Sequence, residues 1–160
     1  MLILISFIHL LLITQSSVQQ DQLFPLLNFN FFGGQQSNYD IADHRLKRCC
    51  GRLNEADAHC KSNFCSFDAI NSNNALLFLI ICTPRGPTVG QMWDCVSSRQ
   101  DHRACCQQNG VGQECMVYCE TTNGVPTEPA KYLQCLRYFN PIRTCFKQYL
   151  HNHPNMFGEF

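Results

Sequence analysis

The twelve cysteines of this chain follow one spacing pattern that occurs twice. Each copy begins with two adjacent cysteines and continues with four more at similar gaps. The gaps are nine, four, sixteen and twelve residues in the first copy, and eight, three, fifteen and nine in the second. This repeat predicts a duplicated six-cysteine unit. Its members are Cys49, Cys50, Cys60, Cys65, Cys82 and Cys95, then Cys105, Cys106, Cys115, Cys119, Cys135 and Cys145.

The first residues form an apolar run that suits secretion. Residues 1–13 are almost wholly apolar, and polar residues follow from Thr14 onward. The run is too short to cross a bilayer as a helix but fits the core of a secretory signal peptide. We therefore expect residues 1–16 to be cleaved off, the alternatives being a buried N-terminal helix or an uncleaved anchor. No later run approaches eighteen apolar residues, so we expect no membrane insertion after signal cleavage.

Secretion also decides how the cysteines are interpreted. In an oxidising compartment, an even number of closely spaced cysteines predicts a disulfide framework, whereas in the cytosol it would suggest zinc. The paired cysteines and histidines of a zinc site are not present at the required spacing. We expect six bridges and no metal or other cofactor. Neighbouring cysteines bond to each other only in a strained ring, so the two members of each adjacent pair should have different partners. The spacing leaves the pairing itself open.

Charge and length restrict the class of partner. The formal net charge is zero and the charges are not clustered, which argues against nucleic acid, heparin or an anionic membrane as the main partner. The cysteine-rich region has the usual size of one domain. Either copy alone is small enough to depend on its cross-links for stability.

Residues 17–48 differ from the rest of the chain. They contain no cysteine, are rich in glutamine and keep no helical or strand period, which predicts a flexible leader. The leader ends in Arg45-Leu46-Lys47-Arg48, which resembles the site cut by furin-like proprotein convertases. Arg45, Lys47 and Arg48 are therefore a candidate processing site in an exposed linker, and residues 17–48 a candidate propeptide. The alternative is a solvated basic cluster that is not cut.

Beyond Cys49 the apolar period is helical, most clearly in the last segment. Asn140 is predicted as the N-cap of a helix, with Pro141 at its first position. One apolar stripe follows at helical spacing: Ile142, Cys145, Phe146, Tyr149 and Leu150. Residues 149–160 are assigned to a C-terminal tail.

Four more helices are predicted. Asp101 should cap a helix that ends near Gly110, and residues 89–96 and 75–82 should each be helical. Glu128-Pro129-Ala130 should open another helix, over residues 128–139, with Leu133, Leu136 and Phe139 on one side. The predicted fold is a small, disulfide-rich, mainly α domain, in which two tandem six-cysteine repeats of short helices form one unit.

The sequence offers little chemistry. Asp101 and His102 could form part of an acid–base site, but a helix cap followed by an exposed histidine explains them better. His151 and His153 lie in a segment better explained as a flexible terminus than as a metal site. Secreted phospholipase A2 also has adjacent cysteines on a helix, but neither pair here is followed by its His-Asp catalytic pair. No serine hydrolase, zinc protease or phosphate-loop motif is present, so we expect no catalytic residue.

The cysteine order, together with several other residues, resembles the DB module, a cysteine-rich extracellular domain abundant in nematode secreted proteins. The resemblance spans residues 49–148. Besides the cysteines, it includes Asp68 in Cys65-Ser66-Phe67-Asp68, Asp101-His102 before Cys105-Cys106, Gly110-Val111, Tyr132 before Cys135, and Ile142 before Cys145-Phe146. It implies a secreted disulfide-bonded domain and no established enzymatic activity.

The function we expect is that of a secreted, extracellular, non-enzymatic module that binds another extracellular protein or a receptor. The alternative is a small secreted hydrolase or an enzyme inhibitor.

Overall fold

The computed structural model describes residues 39–128, 130 and 133–160. The predicted signal peptide and the predicted leader up to Asn38 lie outside the described residues. So do Pro129, Lys131 and Tyr132, and with them much of the helix predicted from Glu128. Tyr39–Phe160 form one compact unit.

The regular structure of the described residues is helical, apart from one isolated bridge between Asp101 and Glu120. No helix in these ranges is long and apolar enough to span a bilayer. The α-helices are α1 (Ile41–Gly51), α2 (Ala58–Phe64), α3 (Ala75–Cys82), α4 (Thr88–Ser97), α5 (Arg103–Gln108) and α6 (Phe139–Asn152). Two 3₁₀ helices span Gln113–Tyr118 and Leu136–Tyr138. The predicted mainly α, disulfide-rich class is confirmed.

All twelve cysteines are bridged, and the two copies use the same pairing. In each copy the first cysteine pairs with the sixth, the second with the fourth, and the third with the fifth. The corresponding bridges close loops of similar length, with sequence separations of 46, 15 and 22 residues in the first copy and 40, 13 and 20 in the second. The bridges are Cys49–Cys95, Cys50–Cys65 and Cys60–Cys82, then Cys105–Cys145, Cys106–Cys119 and Cys115–Cys135.

The shared pairing shows that the two copies repeat the same bridged structure as well as the same cysteine spacing. In each copy the adjacent cysteines lie on the first helix, α1 or α5, and the sixth cysteine lies on the last, α4 or α6. The members of each adjacent pair do bond to different partners, as predicted. By chain entropy, a bridge that closes a loop of about 15 residues contributes about 3 kcal/mol.

No bridge joins one copy to the other, so non-covalent contacts hold them together. One apolar core runs through both copies and includes the bridged cysteines themselves. At its centre, the ring of Trp93 on α4 lies 5.8 Å from the ring of Tyr118 and 5.9 Å from that of Phe146. Because Tyr118 and Phe146 belong to the second copy, Trp93 packs across the boundary between the copies, and we call this contact the joint.

The first helix corrects the predicted leader. Residues 41–48 are not part of a flexible leader, because they form most of α1. The Asp40 side chain caps this helix by accepting a hydrogen bond from the Asp43 N–H at 3.1 Å. Ala42 and Leu46 are buried, and α1 lies against α6.

The last helix confirms the predicted stripe but corrects its ends. Ile142, Cys145, Phe146 and Leu150 are buried, and Tyr149 packs against them. Tyr138, not Asn140, is the N-cap, because α6 begins at Phe139; Asn140 lies within the helix and its side chain bonds to Ser72. Residues 149–152 belong to α6 and not to a tail, and the residues that follow fold back on α1.

Three of the other predicted helices are confirmed. α3 and α4 cover the predicted segments. α5 ends before Gly110, whose φ of +76° satisfies the left-handed conformation expected just after a helix. His102 takes the N-cap position of α5, and the Asp101 carboxylate accepts a hydrogen bond from the Arg103 N–H at 3.0 Å.

The helix predicted over residues 128–139 does not run through to Phe139. Gln134 and Cys135 form a turn, Leu136–Tyr138 is a 3₁₀ helix and Phe139 begins α6.

Candidate binding surface

The predicted exposure of His102 is wrong, because this residue is buried. Its Nε2 donates to the carbonyl oxygen of Ser97 at 2.7 Å, and its ring lies edge-on to Phe146 and Tyr149. Burial lowers the pKa of His102 below its ordinary value of 6.5, although the Ser97 carbonyl and the Asp101 charge oppose the shift. This neutral imidazole is a core residue.

The Asp101 carboxylate has its own partner. It accepts hydrogen bonds from the Arg103 guanidinium, at 2.6 Å for the shortest, and these bonds, with the Arg103 backbone N–H, lower its pKa to about 2. Asp101 and His102 therefore hydrogen-bond to different partners and not to each other. Both residues stabilise the start of α5.

The two histidines near the end of α6 also have local roles. His153 stacks on the Tyr149 ring with centroids 4.3 Å apart, and the His151 Nδ1 lies 3.3 Å from the Asn152 Oδ1. The segment is therefore held in place and is not the flexible terminus that we predicted. Within the described ranges, no group of three or more His, Cys, Asp or Glu side chains is placed to hold a metal ion.

The core leaves little room for an organic ligand. A cavity of about 60 Å³ lies beside Leu46, Met92 and Trp93, and a second of about 20 Å³ lies beside Leu79 and Leu136. Pockets that bind drug-sized molecules measure roughly 300–1,000 Å³. Both cavities are therefore packing defects rather than binding sites.

A larger cleft of about 510 Å³ lies between residues 98–100 and residues 154–158. Several of its polar side chains already bond within the protein, whereas the buried Ser98 hydroxyl has no hydrogen-bond partner among the residues that the structure describes. Arg99 donates to the Thr122 carbonyl, and the Asn155 amide donates to Arg45 and Glu159. The charged and amide side chains of the cleft are therefore engaged in the fold, and a single hydroxyl does not make a built ligand site.

The outward face of α3 is the candidate binding surface. This helix is apolar on all sides: Phe78 and Leu79 are buried in the core, whereas Leu76, Leu77 and Ile80 are 42%, 53% and 64% exposed. The three exposed positions are spaced i, i+1 and i+4, so they share one side of the helix. Packing in the core explains why the inner face of α3 is apolar. It does not explain why three large aliphatic side chains on the outer face are exposed to water.

The chain around this face carries no charge. Residues 69–84 contain no Asp, Glu, Lys or Arg. The nearest charge along the sequence is Arg85, and its guanidinium is paired with the Asp57 carboxylate at 2.9 Å. We call Leu76, Leu77 and Ile80, with this uncharged surround, the α3 face.

The candidate processing residues lie inside α1. The Arg48–Cys49 peptide bond is helical, with Cys49 and Leu46 buried and Cys49 bridged to Cys95. The Lys47 ammonium lies 2.7 Å from the Asp43 carboxylate. The prediction of an exposed linker at this site is wrong, whereas cleavage itself stays a prediction.

The sequence contained signals for two features that its interpretation missed. Ala42, Leu46, Cys49 and Cys50 follow helical spacing, which could have revealed α1. The apolar run 75–82 predicts a helix that is apolar on every side. A domain this small cannot bury every side of such a helix. That argument could have revealed an exposed face, though not which residues form it.

The fold and its six bridges define a small, disulfide-rich, mainly α protein with a duplicated cysteine framework. A family model, the DB module, matches residues 49–146, which is more than half of the chain. The chain belongs to the DB module family. This membership and the bridges fit a cysteine-rich extracellular domain. No curated protein and no solved structure matches the chain.

Proposed function

We propose that this chain is a secreted, non-enzymatic binding domain that docks another extracellular protein on its α3 face. The observation that carries the proposal is the exposure of Leu76, Leu77 and Ile80 together on one side of α3, within a stretch of chain that contains no charged residue. The family and the bridges support the extracellular setting. The apolar run at residues 1–13 supports export through a signal peptide.

The α3 face can contribute a useful share of binding energy. Fully burying a Leu or Ile side chain contributes about 1.5–3 kcal/mol, so burying the exposed halves of three contributes about 2–5 kcal/mol. Micromolar affinity requires about 8 kcal/mol. The interface must therefore extend beyond these three residues, which act as its apolar centre.

Charge determines what kind of partner fits. Helices that lie on anionic membranes pair an apolar face with Lys and Arg, and residues 69–84 contain neither. An uncharged aliphatic face is complementary to an uncharged apolar patch on a protein. We therefore assign the α3 face to a protein partner.

The test uses the secreted protein with its bridges intact. Binding to a panel of purified extracellular ectodomains is measured for the wild type, Leu77→Asp, Ile80→Asp and the control Gln107→Asp. Gln107 is also helical and exposed, and it lies on α5. Each α3 variant should weaken binding at least tenfold, because a desolvated carboxylate replaces an apolar contact. The control should bind like the wild type, and circular dichroism should show the same helix content in all four proteins.

Two results would count against the proposal. Unchanged affinity in Ile80→Asp would show that the partner binds elsewhere. Failure to bind any ectodomain, together with turnover of an ester or peptide library, would favour the hydrolase alternative.

A further inference from the structure

Two segments outside the family match bind each other. The match covers residues 49–146, and the described residues on either side, 39–48 and 147–160, are in direct contact. The Lys147 ammonium lies 2.6 Å from the Asp40 carboxylate. Arg45 Nη1 donates to the carbonyl oxygens of Leu150 at 2.7 Å, and of His151 and His153 at 3.0 Å each. We call these paired segments the clasp.

Arg45 is well placed to hold the clasp together. The three carbonyl groups that it binds are at or just beyond the end of α6, where a helix has unsatisfied acceptors and a partial negative charge. A guanidinium there satisfies several acceptors at once. Arg45 is also the first residue of the Arg-x-Lys-Arg sequence, so a residue that a protease would need is already bound within the fold.

Residues 154–160, which we call the tail segment, lie against α1. Asn155 is only 3% exposed, and its amide donates to the Arg45 carbonyl at 3.2 Å and to the Glu159 carboxylate at 3.0 Å. The Glu159 carboxylate also lies 3.4 Å from the Arg48 guanidinium and 3.5 Å from that of Arg52. The Phe160 ring lies under the Arg45 guanidinium at 4.8 Å. The tail segment therefore contacts both arginines of the candidate processing sequence.

Cleavage cannot occur in this conformation. A protease of the furin-like class must bind several residues around the scissile bond as an extended strand, whereas Arg48–Cys49 lies inside α1. Proteolysis of a folded segment proceeds through local opening, and its rate follows the population of the open form. Opening α1 at Arg48 requires the contacts of Arg45, Asn155 and Glu159 to break first.

We propose that the clasp gates proteolysis after Arg48, so that this bond is cut only in chains whose tail segment is undocked. In the step itself, water adds across the Arg48–Cys49 peptide bond and leaves a carboxylate on Arg48 and an amino group on Cys49. Every cysteine lies at or after Cys49, so no disulfide retains the residues released with Arg48. The cut removes Ala42 and Leu46 from the core and strips the tail segment of its docking site.

The experiment compares the rate of cleavage after Arg48 by a purified furin-like convertase in four forms of the full secreted chain. These are the native wild type, the reduced and alkylated wild type, the double variant N155A/E159Q and the control Asn73→Ala. Both substitutions in the double variant leave the Arg-x-Lys-Arg sequence intact, and Asn73 is exposed and distant from the clasp in sequence. Intact mass identifies the product that begins at Cys49.

The reduced chain should be cut rapidly and the native wild type at least a hundredfold more slowly. The double variant should be cut at least tenfold faster than the native wild type, and Asn73→Ala at the wild-type rate. The proposal is overturned if the native and reduced chains are cut equally fast, if the reduced chain is not cut, or if N155A/E159Q matches the wild type.

A further variant separates local opening from general destabilisation. Met116→Ala removes a buried side chain from the 3₁₀ helix Gln113–Tyr118 and leaves the clasp contacts intact. Under native conditions its cleavage rate should stay within twofold of the wild type, although its midpoint of denaturation falls. If Met116→Ala accelerates cleavage as much as N155A/E159Q, cleavage follows global unfolding and the clasp is not the gate.

Discussion

The joint between the two copies can be tested with Phe146→Ala. Phe146 is 2% exposed on α6 and packs edge-on against Trp93 across the joint. Truncating a buried Phe to Ala costs about 3–5 kcal/mol. No bridge spans the joint, so the framework within each copy cannot compensate for the lost packing. We expect the free energy of unfolding to fall by about 4 kcal/mol, a large part of the 5–15 kcal/mol of a typical domain.

The assay is guanidinium unfolding under non-reducing conditions, followed by the fluorescence of Trp93, the only tryptophan in the chain. With a slope of roughly 3 kcal/mol per molar guanidinium, the midpoint should fall by about 1 M or more. The control is Tyr39→Ala, because this aromatic ring is 65% exposed and its removal should change stability by less than about 0.5 kcal/mol. A loss below about 1.5 kcal/mol in Phe146→Ala would refute the claim that packing at Trp93 holds the copies together.

Two shorter predictions follow from the pairing and from the buried histidine. A specific protease site inserted after Arg99 should yield, once cut, two fragments that separate on a non-reducing denaturing gel, whereas a cut after Asn123 should leave the fragments linked through Cys105–Cys145 and Cys115–Cys135. Fragments that stay linked after the cut at Arg99 would reveal a bridge between the copies. Because burial lowers the pKa of His102, the unfolded chain binds more protons, so stability should fall as the pH drops through about 6.5 and below. Unfolding midpoints measured between pH 8 and pH 5 should show this slope, and His102→Gln should reduce it; an equal slope in the variant would contradict the assignment.

The parts of the fold that were predictable are those with a strong local signal. The repeated cysteine spacing predicted the duplication and six bridges, and the strain of an adjacent-cysteine ring predicted different partners for Cys49 and Cys50. The apolar stripe from Ile142 to Leu150 predicted α6 because one face of a helix repeats every three to four residues. The pairing order could not be predicted, because it depends on which helices meet in space.

The α1 helix was missed because its sequence fits two interpretations. Arg45-Leu46-Lys47-Arg48 is basic and follows a polar segment, which favours a linker. The same residues place Leu46 four positions after Ala42 and three before Cys49, which favours an amphipathic helix. The spacing of these apolar residues was the available signal for the helix. The contacts of Arg45 with α6 and of Asn155 with α1 also favour it, but they leave no periodic trace in the sequence.

The exposure of His102 was mispredicted for a related reason. A polar residue beside a helix start is usually solvated, and local sequence cannot show that Phe146 and Tyr149, more than forty positions later, cover the imidazole ring.

The α3 face is the opposite case, since Leu76, Leu77 and Ile80 lie in the most apolar run of the described chain yet are exposed. In a domain this small, bridges supply part of the stability that a larger core would otherwise provide. The chain can therefore leave three aliphatic side chains outside its core without losing its fold, which leaves them available for the partner contact that we propose.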